Sequence, residues 1–203
     1  MPVLKLDRHG WLQPAAGVAC MASPNFDARP PGTNASLLVL HNISLPPGQF
    51  DGLQVIDFFL NRLDYDSHPW LDRLRDLRVS AHFFIRRDGT LIQFVSTWQR
   101  AWHAGVSSFE GRERCNDYSI GIELEGTDTL PYAEPQYATL RRLLPALKAQ
   151  HTLCAVQGHE HIAPGRKTDP GPAFDWKRFG RENGFLPRQL PLPASGSSGQ
   201  RHS

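Results

Sequence analysis

The sequence predicts a single α/β (α+β) domain built around a central mixed β-sheet. Its 203 residues fit one domain of ordinary size, and a hydrophobic content of 40% is sufficient for one core. Apolar runs of strand length alternate with segments of helical spacing, which is typical of a mixed sheet covered by helices on at least one face. The domain is predicted to span residues 1–187. Residues 188–203 are rich in Pro, then in Gly and Ser, and predict a disordered tail.

Three elements are predicted in the first half of the chain: a strand at 36–40, a helix at 54–63, and a hairpin of strands at 80–86 and 90–95. The strand is a continuous apolar run that ends at His41. The helix carries apolar residues at helical spacing, and Asp51 is its candidate N-cap. The hairpin is indicated by the turn pair Asp88-Gly89 between two apolar segments.

The second half predicts a strand at 118–125, a helix through 137–147, a polar loop after Gly158, and a short helix that begins at Asp175-Trp176. The strand alternates with period two, which places Ile120, Ile122 and Leu124 on one face. Pro145 interrupts the helical pattern, so we expect the helix either to kink or to end there.

Charge and cysteine content exclude several partner classes. With 22 Lys+Arg against 20 Asp+Glu, the net charge of +2 argues against nucleic acid as a partner. No window approaches the roughly 18 apolar residues of a spanning helix, so we expect no membrane segment. The N-terminus lacks the pattern of a signal peptide, and three scattered cysteines predict reduced thiols rather than a disulfide framework. Together these features predict a cytoplasmic protein with no obligate protein partner evident.

A candidate metal site is formed by His41, His159 and Asp169. His41 follows a buried strand, His159 begins the polar loop after Gly158, and Asp169 lies ten residues further on. Two imidazoles and one carboxylate suit zinc and leave a fourth position to water, whose pKa then falls towards about 7. Spacing alone is weak evidence, because ordinary hydrogen-bonded histidines explain most such patterns in a chain with nine of them.

Several blocks resemble one enzyme family in sequence and in order. They are SLLVLHNISLPPGQF (36–50), LRVSAHFFIRRDG (77–89), RAWHAGVSS (100–108), GRERCNDYSIGIELEGTDT (111–129) and GHEHIAPGRKTDPGPAFDW (158–176). The chain resembles the AmpD-like N-acetylmuramoyl-L-alanine amidases of the amidase-2 and peptidoglycan-recognition superfamily. The resemblance covers residues 20–185 and implies the fold of that superfamily.

The resemblance implies zinc bound by His41, His159 and Asp169, with Glu123 as the catalytic carboxylate and Lys167 as the cationic partner beside the metal. Amide hydrolysis needs an activated water, a proton carrier, and positive charge near the developing oxyanion. Two of these residues have a competitor close by in the sequence. Glu125 shares the strand face of Glu123 and could be the catalytic carboxylate instead, and Arg166 adjoins Lys167 and could be the cation instead. Relatives outside this branch use a tyrosine where this chain has Ala81, which increases the dependence on Glu123.

The implied substrate is a muropeptide, 1,6-anhydro-N-acetylmuramoyl linked to a stem peptide, and the bond cut is the amide to L-alanine in cytoplasmic peptidoglycan recycling. Loss of such an enzyme would let anhydro-muropeptides accumulate and raise β-lactamase expression. An anionic peptide and a flat sugar call for arginines and aromatic surfaces. The candidates are Arg78, Arg114 (with Arg112 as competitor), Trp102, Asn42 and Trp70. The alternative functions are a non-catalytic peptidoglycan-binding module and a zinc peptidase that acts on the stem peptide.

The other histidines receive separate predictions. His82 is expected to be buried and hydrogen-bonded to the backbone. His103 is expected to be structural, with the cleft wall as the alternative. His161 stands where the family has a variable polar residue, so it is not expected to bind the metal. The remaining four are expected at the surface: His9, His68, His151 and His202.

Overall fold

A computed structural model describes residues 2–191 and contains a six-stranded mixed sheet. In chain order the strands are β1 (Val18–Cys20), β2 (Phe26–Ala28), β3 (Leu37–Ile43), β4 (Phe83–Ile85), β5 (Leu91–Gln93), β6 (Gln99–Ala101), β7 (Ser108–Phe109), β8 (Arg112–Glu113), β9 (Ser119–Glu125) and β10 (Ala155–Gly158). The main sheet has the order β1-β5-β4-β9-β3-β10, in which the β4–β5 pair is antiparallel and every other pair is parallel. Two small antiparallel pairs, β2–β6 and β7–β8, flank it.

The helices are α1 (Gln54–Phe59), α2 (Glu134–Gln150), α3 (His159–Ile162) and α4 (Trp176–Asn183), with 3-10 turns at Tyr65–Ser67, Pro69–Leu74, Cys115–Asp117 and Pro187–Gln189. Helices α2 and α4 contribute to an apolar cluster on one face of the sheet, and α1 contributes to a second cluster that includes Phe84 and Ile92. The predicted mixed-sheet fold is therefore confirmed, with both faces covered. No helix within residues 2–191 is both long and apolar enough to cross a membrane.

The central strands β3 and β9 position the polar residues that matter below. Leu38 and Leu40 of β3 belong to the same apolar cluster as Ile122 of β9, on the face covered by α2. Because side chains alternate along a strand, His41 and Glu123 lie on the opposite face. The parallel register pairs these two residues directly. The sheet thus places an imidazole beside a carboxylate that is more than 80 positions away in the sequence.

The local predictions for the first half are mostly confirmed. The strand after Ser36 and the hairpin around Asp88-Gly89 are both present, and Gly89 has a φ of 89°, which favours glycine at this turn. The predicted helix at 54–63 is shorter, because Asn61 adopts a left-handed φ of 56° just beyond its end. Asp51 as N-cap is wrong: the N-cap residue is Leu53, and Asp51 itself has a φ of 66°.

Helix α2 continues through Pro145 without ending, in contrast to one of the two expectations. The ring is exposed, while the residues on either side, Leu144 and Ala146, are buried against the sheet. Packing of the apolar face therefore outweighs the backbone hydrogen bond that proline removes. The predicted start of α4 is confirmed, since the side chain of Asp175 accepts a hydrogen bond from the Arg178 amide at 2.8 Å.

Two further predicted segments are the polar loop after Gly158 and the C-terminal tail. The polar loop after Gly158 begins with one helical turn, α3. Of the predicted tail, residues 188–191 are described: the turn Pro187–Gln189 is followed by Leu190, which packs against the core. Residues 192–203, including His202, lie outside the described residues. The boundary at 188 and the disorder of the tail stay predictions.

Candidate active site

A cleft of about 590 Å³ opens where β3, β9 and β10 approach their carboxyl ends. This is the edge at which open α/β sheets bind their ligands. Eight of the ten residues selected from the sequence line it: His41, Asn42, Trp70, Trp102, Glu123, His159, Lys167 and Asp169. The fold therefore gathers residues from six separate segments into one site.

The candidate metal donors converge on one point of the cleft. His41 Nδ1 lies 3.0 Å from His159 Nδ1 and 3.0 Å from Asp169 Oδ2, and the last two atoms are 3.2 Å apart. Tetrahedral zinc with ligands at about 2.1 Å separates its donor atoms by about 3.4 Å. The observed triangle has nearly those edges, so the donor set fits a zinc ion in both chemistry and size.

Protonation also suits a metal site. His159 Nε2 lies 3.0 Å from the Ala104 carbonyl, which can only accept, so Nε2 carries a proton and Nδ1 is the nitrogen that faces the triangle. Burial lowers the pKa of His41 to about 4. Burial alone would raise the pKa of Asp169, but hydrogen bonds with His159 and His41 hold that pKa well below its usual range. Neutral imidazoles and an ionised carboxylate are the forms that bind metal.

The two glutamates of β9 have different surroundings. Glu123 lines the cleft, is 8% exposed, and its Oε2 has no hydrogen-bond partner. Burial, reinforced by the charge of Asp169, raises the pKa of Glu123 well above its ordinary value, and Lys167 opposes this shift. Glu125 instead accepts hydrogen bonds from the backbone amides of Asp51 and Arg87, at 3.1 and 3.0 Å. Only Glu123 has an oxygen free for a ligand.

The two neighbouring cations, Lys167 and Arg166, also have different surroundings. Lys167 is an exposed residue that lines the cleft beside Asp169. Arg166 points to the loop behind it, where its Nη2 donates to the carbonyls of Ala104 at 2.7 Å and Val106 at 2.6 Å. Of the two, Lys167 is therefore the cation placed to meet a ligand, whereas Arg166 holds the loop.

The polar cleft residues predicted to bind substrate differ in how far they are already engaged. The Asn42 side-chain amide donates to Asp128 Oδ1 at 2.8 Å and to the Pro170 carbonyl at 3.2 Å, which braces the loop that carries Asp169. The indole Nε1 of Trp102 is buried and has no partner. Trp102 therefore contributes its flat ring to the cleft wall and carries an indole N–H that has no acceptor among the described residues.

Arg78 and Arg114 do not line the cleft. Both are exposed, and Arg78 Nη1 donates to the backbone carbonyls of Arg75 and Leu77. Arg114 lies at a separate pocket together with Arg166, and its Nε is 3.3 Å from Asp117. The reason is local geometry, since Arg114 adopts a left-handed φ of 59° next to the Cys115–Asp117 turn. Their role in substrate binding stays a prediction.

The other histidines fall into three environments. His82 is buried, accepts a hydrogen bond from the Gly121 amide at 3.0 Å and lies 3.0 Å from the Gln99 carbonyl, as predicted. His161 is no part of the metal group and accepts a hydrogen bond from the Gly158 amide at 3.1 Å. The surface prediction for His151 is wrong, because its ring packs against Trp98 with the ring centres 4.4 Å apart, and only 4% of the residue is exposed.

Sequence reasoning undervalued His103. This residue lines the cleft, and its Nδ1 lies 2.9 Å from Nε2 of His41. Its position in the AWHAG block was the only available signal, since the contact spans 62 positions of the chain. Asp128, the partner of Asn42, was missed for the same reason.

The sequence matches one family of known proteins. A family model described as N-acetylmuramoyl-L-alanine amidase matches residues 31–172. The chain is 55% identical over 172 residues to 1,6-anhydro-N-acetylmuramyl-L-alanine amidase AmpD of Citrobacter freundii, covering 84% of this chain and 90% of that protein.

Solved structures extend the similarity to the fold. The crystal structure of a selenomethionine derivative of AmpD superposes with a TM-score of 0.82 at 52% identity, over 87% of this chain and 98% of that one. The Escherichia coli amidase AmiD, solved in complex with anhydro-N-acetylmuramic acid-L-Ala-D-γ-Glu-L-Lys, superposes with a TM-score of 0.52 at 27% identity, over 87% of this chain and 65% of that one.

Proposed function

The chain belongs to the N-acetylmuramoyl-L-alanine amidase family, and we propose that it cleaves 1,6-anhydro-N-acetylmuramoyl-L-alanine amide bonds in a zinc-dependent reaction. The bond is the one between the lactyl group of the anhydro sugar and the first residue of the stem peptide. One observation carries the proposal: a single cleft holds the donor triangle of His41, His159 and Asp169 together with the unpartnered oxygen of Glu123.

Zinc is the metal we propose for the triangle, held by His41 Nδ1, His159 Nδ1 and Asp169 Oδ2. The set of two imidazoles and one carboxylate is the donor chemistry of catalytic zinc sites, and its edges of 3.0–3.2 Å are close to, and slightly shorter than, those around a tetrahedral ion. When bound, the ion supplies the Lewis acidity that activates water and polarises the amide. No covalent intermediate with the protein is needed, so the three cysteines stay uninvolved.

Glu123 is the proposed proton carrier. It would take a proton from the attacking water and deliver it to the departing amine of L-alanine. An efficient carrier has a pKa near the working pH. Burial raises the pKa of this carboxyl towards that range, and its unpartnered Oε2 leaves room for the proton. Lys167, at the rim beside Asp169, would stabilise the negative charge that develops on the amide oxygen.

The substrate fits the chemistry of the cleft wall. Trp102 and Trp70 provide flat apolar surfaces for a sugar, and the free Nε1 of Trp102 is a donor for one of its oxygens. The peptide would leave the cleft towards the exposed cations, among which Arg78 and Arg114 stay candidates for its carboxylates. AmiD, whose structure holds an anhydro-muropeptide, supports this substrate class. The proposed setting is peptidoglycan recycling in the cytoplasm.

Product analysis by mass spectrometry tests the proposal. The purified protein, incubated with anhydro-N-acetylmuramoyl-tripeptide, should release the anhydro sugar and the intact tripeptide. Removal of metal with a chelator should abolish the release, and one equivalent of zinc should restore it. Shortened peptides would identify a zinc peptidase instead. Bound but uncleaved substrate in the zinc-loaded protein would identify a binding module.

A further inference from the structure

We propose that two consecutive residues, His103 and Ala104, orient both histidine donors of the metal site. They are called here the orienting segment. His103 would act on His41 through its side chain, and Ala104 would act on His159 through its backbone carbonyl. His103 is thus a positioning residue. This inference rests on the proposed zinc function, because its effect is exerted on the donor triangle.

The two histidine donors make the same kind of contact with the orienting segment. Each donor uses Nδ1 at the triangle and turns Nε2 towards the orienting segment. His41 Nε2 lies 2.9 Å from His103 Nδ1, and His159 Nε2 lies 3.0 Å from the Ala104 carbonyl oxygen. A metal-bound imidazole needs a partner for its second nitrogen, because that hydrogen bond fixes both the tautomer and the ring orientation. Both partners come from adjacent positions on one piece of backbone.

His103 is itself held in place. Its Nε2 lies 3.1 Å from Ser119 Oγ, at the beginning of β9. Its ring packs on Gly121, where a Cβ atom would lie only 2.5 Å from His103 Cγ. Glycine at 121 is therefore required by the histidine ring. Strand β9 therefore fixes the His103 side chain at two points: Gly121 supports the ring, and Ser119 contacts Nε2. The other ring nitrogen, Nδ1, then faces His41.

The backbone of the segment is fixed as well. The amides of His103 and Ala104 both donate to Asn116 Oδ1, at 3.1 and 2.8 Å. The Ala104 carbonyl also accepts from Arg166 Nη2 at 2.7 Å. One asparagine thus fixes both members at once, so its loss should affect both metal ligands together.

Zinc affinity is the direct readout, measured by competition with a chromophoric chelator on the full chain. His103→Phe keeps an aromatic ring but removes the acceptor for His41, and we expect zinc to bind about 10–100-fold more weakly. His103→Asn places an oxygen where Nδ1 stood and should restore most of that affinity. Cobalt in place of zinc provides a second signal, because its visible spectrum reports the coordination geometry and should change in the His103→Phe protein.

His82→Phe is the matched control. His82 is another fully buried histidine whose ring lies 5.8 Å from that of His103, yet it contacts no metal donor. Its replacement should lower the stability of the metal-free protein and leave zinc affinity unchanged. Asn116→Ala and Ser119→Ala act on the segment without touching a donor, and each should weaken zinc binding, the former more. They also serve as replacements if His103→Phe does not fold.

The outcomes separate the two proposals. Equal zinc affinity and equal cobalt spectra in wild type, His103→Phe and Asn116→Ala would overturn the role of the orienting segment while the zinc amidase stands. A parallel loss of affinity in His82→Phe would also overturn it, since general loosening would then be the cause. A wild-type protein that binds no zinc but still cleaves the substrate would overturn the zinc-dependent function itself.

Discussion

Glu123 and Glu125 lie two residues apart on the same face of β9, but their surroundings differ. Both carboxylates are buried, at 8% and 2% exposure, and both belong to the same short block of sequence. At Glu125 the backbone amides of two loops supply hydrogen bonds to both oxygens. At Glu123 one oxygen has no protein partner and the neighbourhood is a cleft.

The difference shows how a structural carboxylate is distinguished from a reactive one. A buried polar group normally finds partners, because leaving it unpaired costs about 1–3 kcal/mol. Glu125 follows that rule and ties the segments at Asp51 and Arg87 to the sheet. Glu123 does not follow it, and its unfavourable position inside a cleft is the sign of a group kept for a ligand.

The largest effect is expected from Glu123→Gln. Amide hydrolysis should fall by about 10²–10⁴-fold in kcat, because the proton carrier is lost. Stability of the metal-free protein at pH 7 should stay the same or rise. The raised pKa of the native carboxyl means that the unfolded chain ionises first as the pH rises above 4.5, which weakens the wild-type fold. Steady-state kinetics and urea unfolding check the two halves, and a variant with near-normal kcat would remove Glu123 from the mechanism.

Glu125→Gln should reverse that pattern. The amide offers one acceptor where the carboxylate offered two, so one backbone N–H of Asp51 or Arg87 loses its partner. We expect a loss of about 1–3 kcal/mol in the free energy of unfolding, with kcat within a few-fold of wild type. If this variant lost activity as completely as Glu123→Gln, the distinction between the two regions would not hold.

Trp102→Phe applies the same comparison to an unpartnered hydrogen-bond donor on a residue of the cleft wall. The variant keeps an apolar ring but removes the unpartnered Nε1. One neutral hydrogen bond contributes about 1 kcal/mol, so KM or the product-inhibition constant should rise about five-fold. Zinc affinity should not change. A Michaelis constant equal to that of wild type would indicate that the indole N–H faces no substrate atom.

His151→Leu tests the comparison outside the cleft. Both ring nitrogens of His151 lack partners, yet the residue packs against Trp98 and is absent from the cleft wall. Replacing an unsatisfied ring with an apolar side chain should leave activity unchanged and raise stability by about 1 kcal/mol.

The pH dependence of this variant provides its control. Burial lowers the pKa of His151 to about 4 from an ordinary value of 6.5. As the pH falls from 6.5 towards 4, the unfolded chain therefore takes up a proton before the folded one, and wild-type stability declines. The decline should be shallower in His151→Leu. Identical pH profiles in denaturant unfolding would show that this ring titrates normally in the folded protein.

Local sequence signals predicted much of the fold. The apolar run before His41, the Asp88-Gly89 turn and the Asp175 cap each act through neighbouring residues, and each was found where expected. Two outcomes depended instead on packing between distant segments. Helix α2 continues through Pro145 because its flanking residues are buried, and His151 is covered by an aromatic ring more than 50 positions away.

The candidate site, like the fold, was predicted in part from sequence and decided in part by the tertiary structure. The blocks of sequence were enough to select His41, His159, Asp169, Glu123 and Lys167, because their residue types and order are specific to a family. The cleft brings all five together. Sequence alone did not distinguish the surroundings of Glu123 from those of Glu125, and it placed two arginines that the cleft leaves outside.

The sequence by itself therefore determined the fold class, the family and the chemical types of the site residues, since these depend on local periodicity, turn residues and motifs. Tertiary structure alone decided which polar atoms have partners. The contacts of His41 with His103, and of Glu125 with Asp51, join segments 62 and 74 positions apart. Hydrogen bonding and burial act over a few ångströms in space, so only the folded chain sets the pKa of Glu123 and the orientation of the metal ligands.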